Sequence, residues 1–505
     1  MANTTQYVFD GAELLSNGFL SPAGARFASS TDPLGHIVQY QFSPLGQLIA
    51  RIDSIGTEQF TYDSDGNLST IADPNHNTTQ YTYDTMDRLL TRTDPLGNTE
   101  CYGTFSGGTC QSNGYDGNGN LLQFTDRRGK VTTYAYDSLD RATFVGYGAQ
   151  PGPSYESTVS YVYDVEDRLT QTVDSGTITR GFDGFDRMTS EITSQGTISY
   201  TYDAAGRRQT TVVTGQPTLN YTFDAGNNLT QMTQGLSTVQ FTYDSAGRRT
   251  ALTLPNGMVT TYGYDGASQL LSMTYLLGSM PLGNLTYGFD LVRQRVSVGG
   301  NFARVGIPNA VSATSYNANN QLGSWRTPNL FYDANGNMTS DGLHSYSWDA
   351  RNHLIKIDAG STASFSYDAF GRRTNKTILG TNTAFLYDED DPVQELSGTT
   401  PIANLMTGDV DEYFQRTDSA GARNFLADAL GSTIALADSS GALQSTYSFD
   451  PFGNTTINGS STTNSYAYTG RELDSPLGLY FYRARYYNPA FGRFISEDPL
   501  RFGED

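Results

Sequence analysis

VQFTYDSAGRRTALTLPNGMVTTYGYD, residues 239–265, contains one full unit of a repeat and the start of the next. Val239, Phe241 and Tyr243 alternate, which puts them on one face of a strand. Asp244-Ser245-Ala246-Gly247 is a turn: the Asp side chain accepts from turn amides, and Gly supplies a positive φ. A second strand runs through Thr250, Leu252 and Leu254. Pro255-Asn256-Gly257 makes another tight turn, Asn-Gly being a strong hairpin signal. Thr260, Tyr262 and Tyr264 open the next copy.

Working outward, the pair aromatic-Asp returns with a period near twenty residues. Clear copies are Tyr62-Asp63, Tyr83-Asp84, Tyr136-Asp137, Tyr163-Asp164, Phe182-Asp183, Tyr202-Asp203, Phe223-Asp224, Tyr243-Asp244 and Tyr264-Asp265. Weaker ones are Tyr115-Asp116, Phe289-Asp290, Tyr316-Asn317, Tyr332-Asp333, Trp348-Asp349, Tyr367-Asp368 and Tyr387-Asp388. Each unit is two strands and two turns, and links this short force antiparallel neighbours. The expected product is an all-β strip of hairpins, stabilised by adjoining copies. Sixteen-odd copies give a strip roughly 150 Å long, or about one turn of a band. Irregularities at 100–115, 146–158, 276–286 and 297–314 are expected to be rim loops. Residues 1–60 read as degenerate repeats, with turns at Asp32-Pro33-Leu34-Gly35 and Ser43-Pro44-Leu45-Gly46. The shell proper is expected over 61–390 and a distinct core over 391–505.

Composition agrees. The chain has 505 residues with 34 Tyr, 26 Phe and 53 Gly, a β profile with many turns. Formal net charge is −21, and the only lysines are Lys130, Lys356 and Lys376. Arginine therefore carries the positive charge, mostly at fixed places in the repeats. An acidic chain without a basic tract is a poor match to nucleic acid or an anionic membrane. The N-terminal stretch has neither a basic n-region nor an apolar h-region, and no run is long enough to span a bilayer. Release by a route other than a Sec-type leader, or display at the cell surface, is the expectation. Cys101 and Cys110 bracket YGTFSGGT; a loop-closing disulfide and two reduced thiols both fit that spacing.

Motifs of familiar chemistry are missing. The sequence has no Gly-x-Ser-x-Gly elbow, phosphate loop or dinucleotide fingerprint, so no cofactor is expected. His36, His76, His344 and His353 form no metal-ligand spacing. Asp63-Ser64-Asp65-Gly66-Asn67 has a calcium-loop look but lacks the downstream bidentate Glu, and the same positions recur as turns. The Tyr-Asp pairs are expected to serve turns and stacking; sugar binding by exposed rings is the rival.

Residues 466–505 differ in kind: YAYTGRELDSPLGLYFYRARYYNPAFGRFISEDPLRFGED. The segments Thr469 to Glu472, Gly478 to Tyr487, Gly492-Arg493-Phe494 and Glu497-Asp498-Pro499 closely resemble the core-domain signature of Rhs proteins, the YD-repeat proteins. The resemblance implies a spiralled β-sheet shell with the core curling inward at the C-terminal end. It implies that the shell and core encapsulate a toxic C-terminal polypeptide and help deliver it, the toxin being outside this sequence. Partners would be that cargo or further shell chain, and a delivery or shell-closing protein. The family is associated with self-cleavage by an Arg and two Asp residues in an aspartic-protease-like arrangement, in which one carboxylate acts as base and the other as acid. By motif position these are Arg485 and Asp498; the second carboxylate belongs to a later Asp-Pro-x-Gly-Leu segment that the sequence does not include. The Gly-Gly-x-Asn-x-Tyr and Asn-Asn-Pro elements are missing too. Arg485 and Asp498 are then expected to form an ion pair that locks the core in the strip, with no self-cleavage. YD repeats also occur in teneurins and in wall-associated bacterial proteins, so a cell-surface adhesion or carbohydrate-recognition module is the alternative.

Overall fold

A computed structural model describes residues 28–150, 154–303, 306–308, 310–311, 314–326 and 328–499, together with the backbone of 6–9, 12–14 and 27. The remaining N-terminal residues, read above as leaderless, and Leu500 to Asp505 lie outside the described residues.

The repeat folds as its sequence dictates. Ser237–Tyr243 and Arg249–Thr253 are antiparallel strands, with Val239 and Phe241 buried on one face and Gln240 and Thr242 exposed on the other. Between them, Asp244 Oδ1 accepts the amides of Ala246 (2.9 Å) and Arg248 (3.0 Å), and Gly247 sits at φ +75°. Asp244 Oδ2 takes the Arg248 Nε–H at 2.7 Å. Arg248 also reaches forward: it donates to the Asp265 carbonyl at 3.1 Å, and its guanidinium lies 4.8 Å from the Tyr264 ring centre. Tyr264 answers by donating its hydroxyl to the Arg249 carbonyl at 2.9 Å. Tyr264-Asp265 is thus gripped by the Asp-Arg of the copy before it, as Phe223-Asp224 is by Asp203 and Arg207. The same hydroxyl bond recurs at Tyr62, Tyr83, Tyr136, Tyr163, Tyr202, Tyr243, Tyr367 and Tyr387. This gives Tyr-Asp the structural role expected of it.

Two local expectations are corrected. Thr250 does not line up with Leu252, because a β-bulge at Thr242/Tyr243 sets it against the Thr242 hydroxyl at 2.9 Å on the outer face. A bulge stands at the same place in nearly every aromatic-Asp hairpin, as at Thr61/Tyr62, Thr201/Tyr202 and Ser366/Tyr367. Residues 276–286 are not a loop: Leu270–Leu277 and Met280–Phe289 are the continuation of a long hairpin, with Leu277 paired to Met280, because apolar residues keep both strands on the sheet. The 100–115 irregularity is a small hairpin, Thr104–Ser106 with Thr109–Gln111, closed by a Cys101–Cys110 disulfide.

The hairpins join into one long antiparallel sheet ending at Arg295–Gly299. Two short hairpins lead to a 12-stranded sheet from Tyr346–Trp348 to Thr455–Gly459. The strip does not stop at one turn. Asn319 bonds Asp94 (2.8 Å), Asn335 bonds Asp126 (2.7 Å) and Arg128 bonds the Asp349 carbonyl (2.9 Å), so the second pass first stacks rim on rim. Further along, Leu386, Val393 and Leu396 pack on Ile198, Tyr200 and Val213, and Phe414, Leu426 and Ile434 pack on Val239, Phe241 and Met273. There the second pass packs on the face of the first that carries Tyr200 and Phe241, while Gln216 and Asn256 at the rim still bond the Val393 and Asp438 carbonyls. A turn therefore takes far less than the whole chain. The repeated bulges explain the tighter winding, since each bends its strand and adds right-handed twist.

Acid should loosen this lattice. Hydrogen bonds from Arg141, Arg187 and Arg207 hold Asp137, Asp183 and Asp203 below the ordinary carboxylate value of 3.8. A depressed carboxylate stabilises the fold above its unfolded pKa, and that contribution fades as pH falls through the folded pKa. Circular dichroism melts should lose midpoint as pH drops below 3.8, the ordinary value. A combined Asp137→Asn, Asp183→Asn, Asp203→Asn variant should show a flatter acid limb.

Candidate functional site: the C-terminal core and its seat

The signature stretch folds into a four-stranded antiparallel sheet of Glu472–Asp474, Leu479–Tyr482, Arg485–Asn488 and Arg493–Phe494. Gly478 ends a short turn at φ +64°, and Arg483 takes φ +59° in the two-residue link before Arg485. One face, with Leu479, Phe481, Tyr486 and Ile495, packs on Leu354, Phe365 and Tyr367 of the second sheet. The other face sets Tyr480 beside Tyr447, Tyr466 and Leu436.

Arg485 and Asp498 do meet, Nη2 to Oδ2 at 2.7 Å, and the Arg485 guanidinium lies 3.7 Å from the Phe494 ring centre. The neighbouring Glu497 points elsewhere. Its carboxylate is held by Arg127 and, at 3.4 Å, by Arg92, both from the first pass of the strip. Glu497 is therefore committed to a cross-strip ion pair, and Asp498 to an arginine of its own sheet.

The strongest electrostatics lie where sequence reading did not look. Arg373 is wholly buried between the second sheet and the core. It pairs with Glu472 at 2.5 Å and Asp474 at 2.7 Å, and donates to the Tyr486 hydroxyl at 3.0 Å. Lys376 adds 2.5 and 3.0 Å contacts to the same two carboxylates. Burial opposes ionisation of Asp474, but the adjacent Arg373 and Lys376 hold its carboxyl below the ordinary value. Two cations and two anions thus balance inside the seat. At its edge Arg483 bridges Asp391 (2.8 Å) and Asp411 (3.1 Å), and Arg471 meets Asp411 at 2.8 Å. Burial pushes Asp391 up to about 6.

A signal for Arg373 exists in the sequence. Arg207-Arg208, Arg248-Arg249 and Arg372-Arg373 are doublets following a turn Asp. The first arginine serves its own turn; the second reaches the layer packed inside. Arg208 bonds Asp388 and Glu389 at 2.9 and 2.8 Å, Arg249 holds Glu412, and Arg373 takes the core. Among the described residues no group of His, Cys, Asp and Glu is arranged to hold a metal, and no helix is long and apolar enough to cross a membrane.

Known proteins share these features. Residues 260–503 match the family profile described as Teneurin YD-shell, and residues 62–99, 115–143, 182–219 and 223–257 match RHS Repeat. A curated relative, the tRNA3(Ser)-specific nuclease WapA of Bacillus spizizenii, is 35% identical over 195 residues, 37% of this chain and 8% of its own. Toxin subunit YenC1 of Yersinia entomophaga is 28% identical over 204 residues, 34% of this chain and 21% of its own. The chain thus spans a small part of the curated relatives it matches. Among solved structures, the Photorhabdus luminescens Tc holotoxin pore superposes with TM-score 0.75 at 16% identity, over 94% of this chain and 32% of that one. A TcdB2–TccC3 crystal structure gives 0.73 at 16% identity, over 95% and 33%. At that identity the likeness is one of fold.

Two outcomes follow from the seat. Arg373→Met would leave Glu472 and Asp474 short of a buried partner, at a cost of about 3–5 kcal/mol. Hydrogen exchange across 472–488 should rise sharply while the turns of 200–270 keep their protection. The 505-residue chain should also give its full intact mass after prolonged incubation. A smaller product that disappears in Asp498→Asn would overturn that.

Proposed function

The chain belongs to the RHS, or YD-repeat, proteins, and from that premise we propose that it is the shell and core portion of a polymorphic toxin, enclosing a toxic polypeptide carried beyond its C-terminus. The carrying observation is the inward spiral. The strip stacks on its own rim, packs its second pass on one face of its first, and ends in a small sheet packed on that second pass. A surface of this kind separates an inside from an outside, and adhesion by exposed repeats has no need of it.

The residues would divide the work as follows. The Asp-Arg turns make the wall. The core proposed over 391–505 begins in the Asp388–Asp391 turn of the second sheet, and its four-stranded sheet from Glu472 to Phe494 fixes the end of the strip. Arg373, Lys376, Glu472 and Asp474 seat that core. Arg485 and Asp498 hold the last described residues next to it, and in a longer chain carrying a second carboxylate they would stand where an acid–base pair is needed to cut the cargo free. The cargo, a delivery or shell-closing partner and release outside the producing cell are parts of this proposal. WapA of Bacillus spizizenii, named a tRNA3(Ser)-specific nuclease, and YenC1, named a toxin subunit, lend it support.

Enclosure is testable with the chain itself. A permanently unfolded variant of a small globular domain, fused after Asp505, should resist a nonspecific protease for much longer than the same polypeptide alone. Digestion of the fused segment at the free rate would sink the proposal.

A further inference from the structure

The chain has two cysteines, Cys101 and Cys110, and their disulfide lies beside the hold on the C-terminal end. Cys101 ends the strand Thr99–Cys101, which makes three ladder pairs with Leu89–Thr93. With the next strand of the long sheet, Gln123–Thr125, it makes one, Cys101 with Thr125. The long sheet is narrowest at this joint. The chain between the two strands forms the hairpin Thr104–Ser106 and Thr109–Gln111, of which Cys110 is the only buried residue. An isolated two-stranded hairpin is marginal in water, so the disulfide supplies its apolar anchor to the sheet.

Glu100 stands next to Cys101 on the same strand, with its side chain buried. One of its oxygens pairs with Arg92 and with Arg127, each at 3.2 Å. Arg127 comes two residues after Thr125, on the far side of the narrow joint. These are the two arginines that hold Glu497, Arg92 at 3.4 Å. Guanidinium groups gathered on one carboxylate repel each other, and Glu100 supplies the charge between them that keeps both in place. Arg127 also pairs with Asp94 at 3.1 Å and donates to the Asn335 carbonyl at 3.0 Å. Disulfide, joint, Glu100, arginine pair and Glu497 are thus consecutive contacts.

We propose that Cys101 and Cys110 are a reversible redox site whose oxidised form secures the C-terminal end of the described chain through Glu100. This rests on release outside the producing cell, a part of the reading above. A reducing interior keeps such thiols apart, and an oxidising exterior joins them. Closing the bond takes two electrons and two protons from the thiols and passes them to an oxidant of the disulfide class. A dithiol reverses it. Its thiolate attacks the sulfur of Cys110, the less buried of the two, and Cys101 leaves as a thiolate that takes a proton. The second sulfur of the dithiol then displaces Cys110, which is protonated in turn, and closes into a ring disulfide. With the bond open the hairpin loses its anchor, and Cys101 with Thr125 is left as the only ladder pair across the joint. Glu100 then no longer keeps Arg92 and Arg127 in register for Glu497.

The test is hydrogen exchange, read by mass spectrometry, on the 505-residue chain with nothing fused to it. The chain is compared oxidised, after dithiothreitol under native conditions with its free thiols counted, and after reoxidation. Glu100→Gln is measured with the bond closed, and Cys110→Ser supplies an open bond without reductant. Reduction should raise exchange across 493–499 about tenfold, the size of one lost charge-assisted hydrogen bond, and reoxidation should reverse it. Cys110→Ser should match the reduced chain; if it does not fold, the reduced chain decides. Glu100→Gln should loosen 493–499 while 104–111 keeps its protection. The hairpins of 237–264 should not change. Loosening of 104–111 alone, equal loosening of every segment, or a bond that dithiothreitol does not open in the folded chain would overturn the proposal. None of these results bears on the protease test of enclosure, so the two readings fail separately.

Discussion

Everything in this structure hangs on one carboxylate per repeat. The turn aspartate accepts two backbone amides through one oxygen and fixes an arginine or asparagine through the other, as Asp203 does with Ala205, Arg207 and the Arg207 guanidinium. The fixed guanidinium then lies against the next aromatic ring and bonds the next turn's carbonyl, Phe223 and Asp224 in this copy. Charge, stacking and backbone hydrogen bonding are joined in one chain of contacts that runs from copy to copy. Individually these are exposed interactions of modest worth. Repeated at the arginine-bearing turns, they set the distance and angle between hairpins, and the bulge beside the aromatic turns that angle into curvature.

The interior is organised differently. Where the second pass lies on the first, aromatic and aliphatic contact supplies the area and arginine supplies the address. Arg208, Arg249 and Arg373 each cross from one layer to a carboxylate on the next. Burying a charge is expensive, and a buried pair adds little stability over a well-packed apolar substitute. Its effect is on position: an inner layer displaced by one strand would leave three arginines and their acids unpaired. In the core this is most pronounced, because Arg373, Lys376, Glu472 and Asp474 are satisfied only together.

The repeat was legible in the sequence because it is local. Alternation in Val239, Phe241 and Tyr243, the acceptor role of Asp244 and the glycine at Gly247 each depend on a few neighbouring residues. The bulges were not legible, since a one-residue slip leaves the composition of a strand unchanged. Nor was the hairpin through Leu277 and Met280, where departure from the period looked like an insertion. The likeness of 466–499 to a core signature singled out the residues of the four-stranded sheet and the pair Arg485 and Asp498, which meet. It gave no hint of Arg373, which lies about a hundred residues away, in a doublet whose second member reads like a duplicate of the first.

By itself, then, the sequence determined the all-β class, the hairpin unit and the turn chemistry, because all of these are written in spacings shorter than one repeat. Only the tertiary structure decided how many passes the strip makes, which face it covers, and which cations meet Glu472, Asp474 and Glu497. Those outcomes depend on curvature accumulated over many bulges and on contacts between residues 96 to 405 positions apart. A pattern with a period near twenty residues carries no mark of where such distant partners will fall.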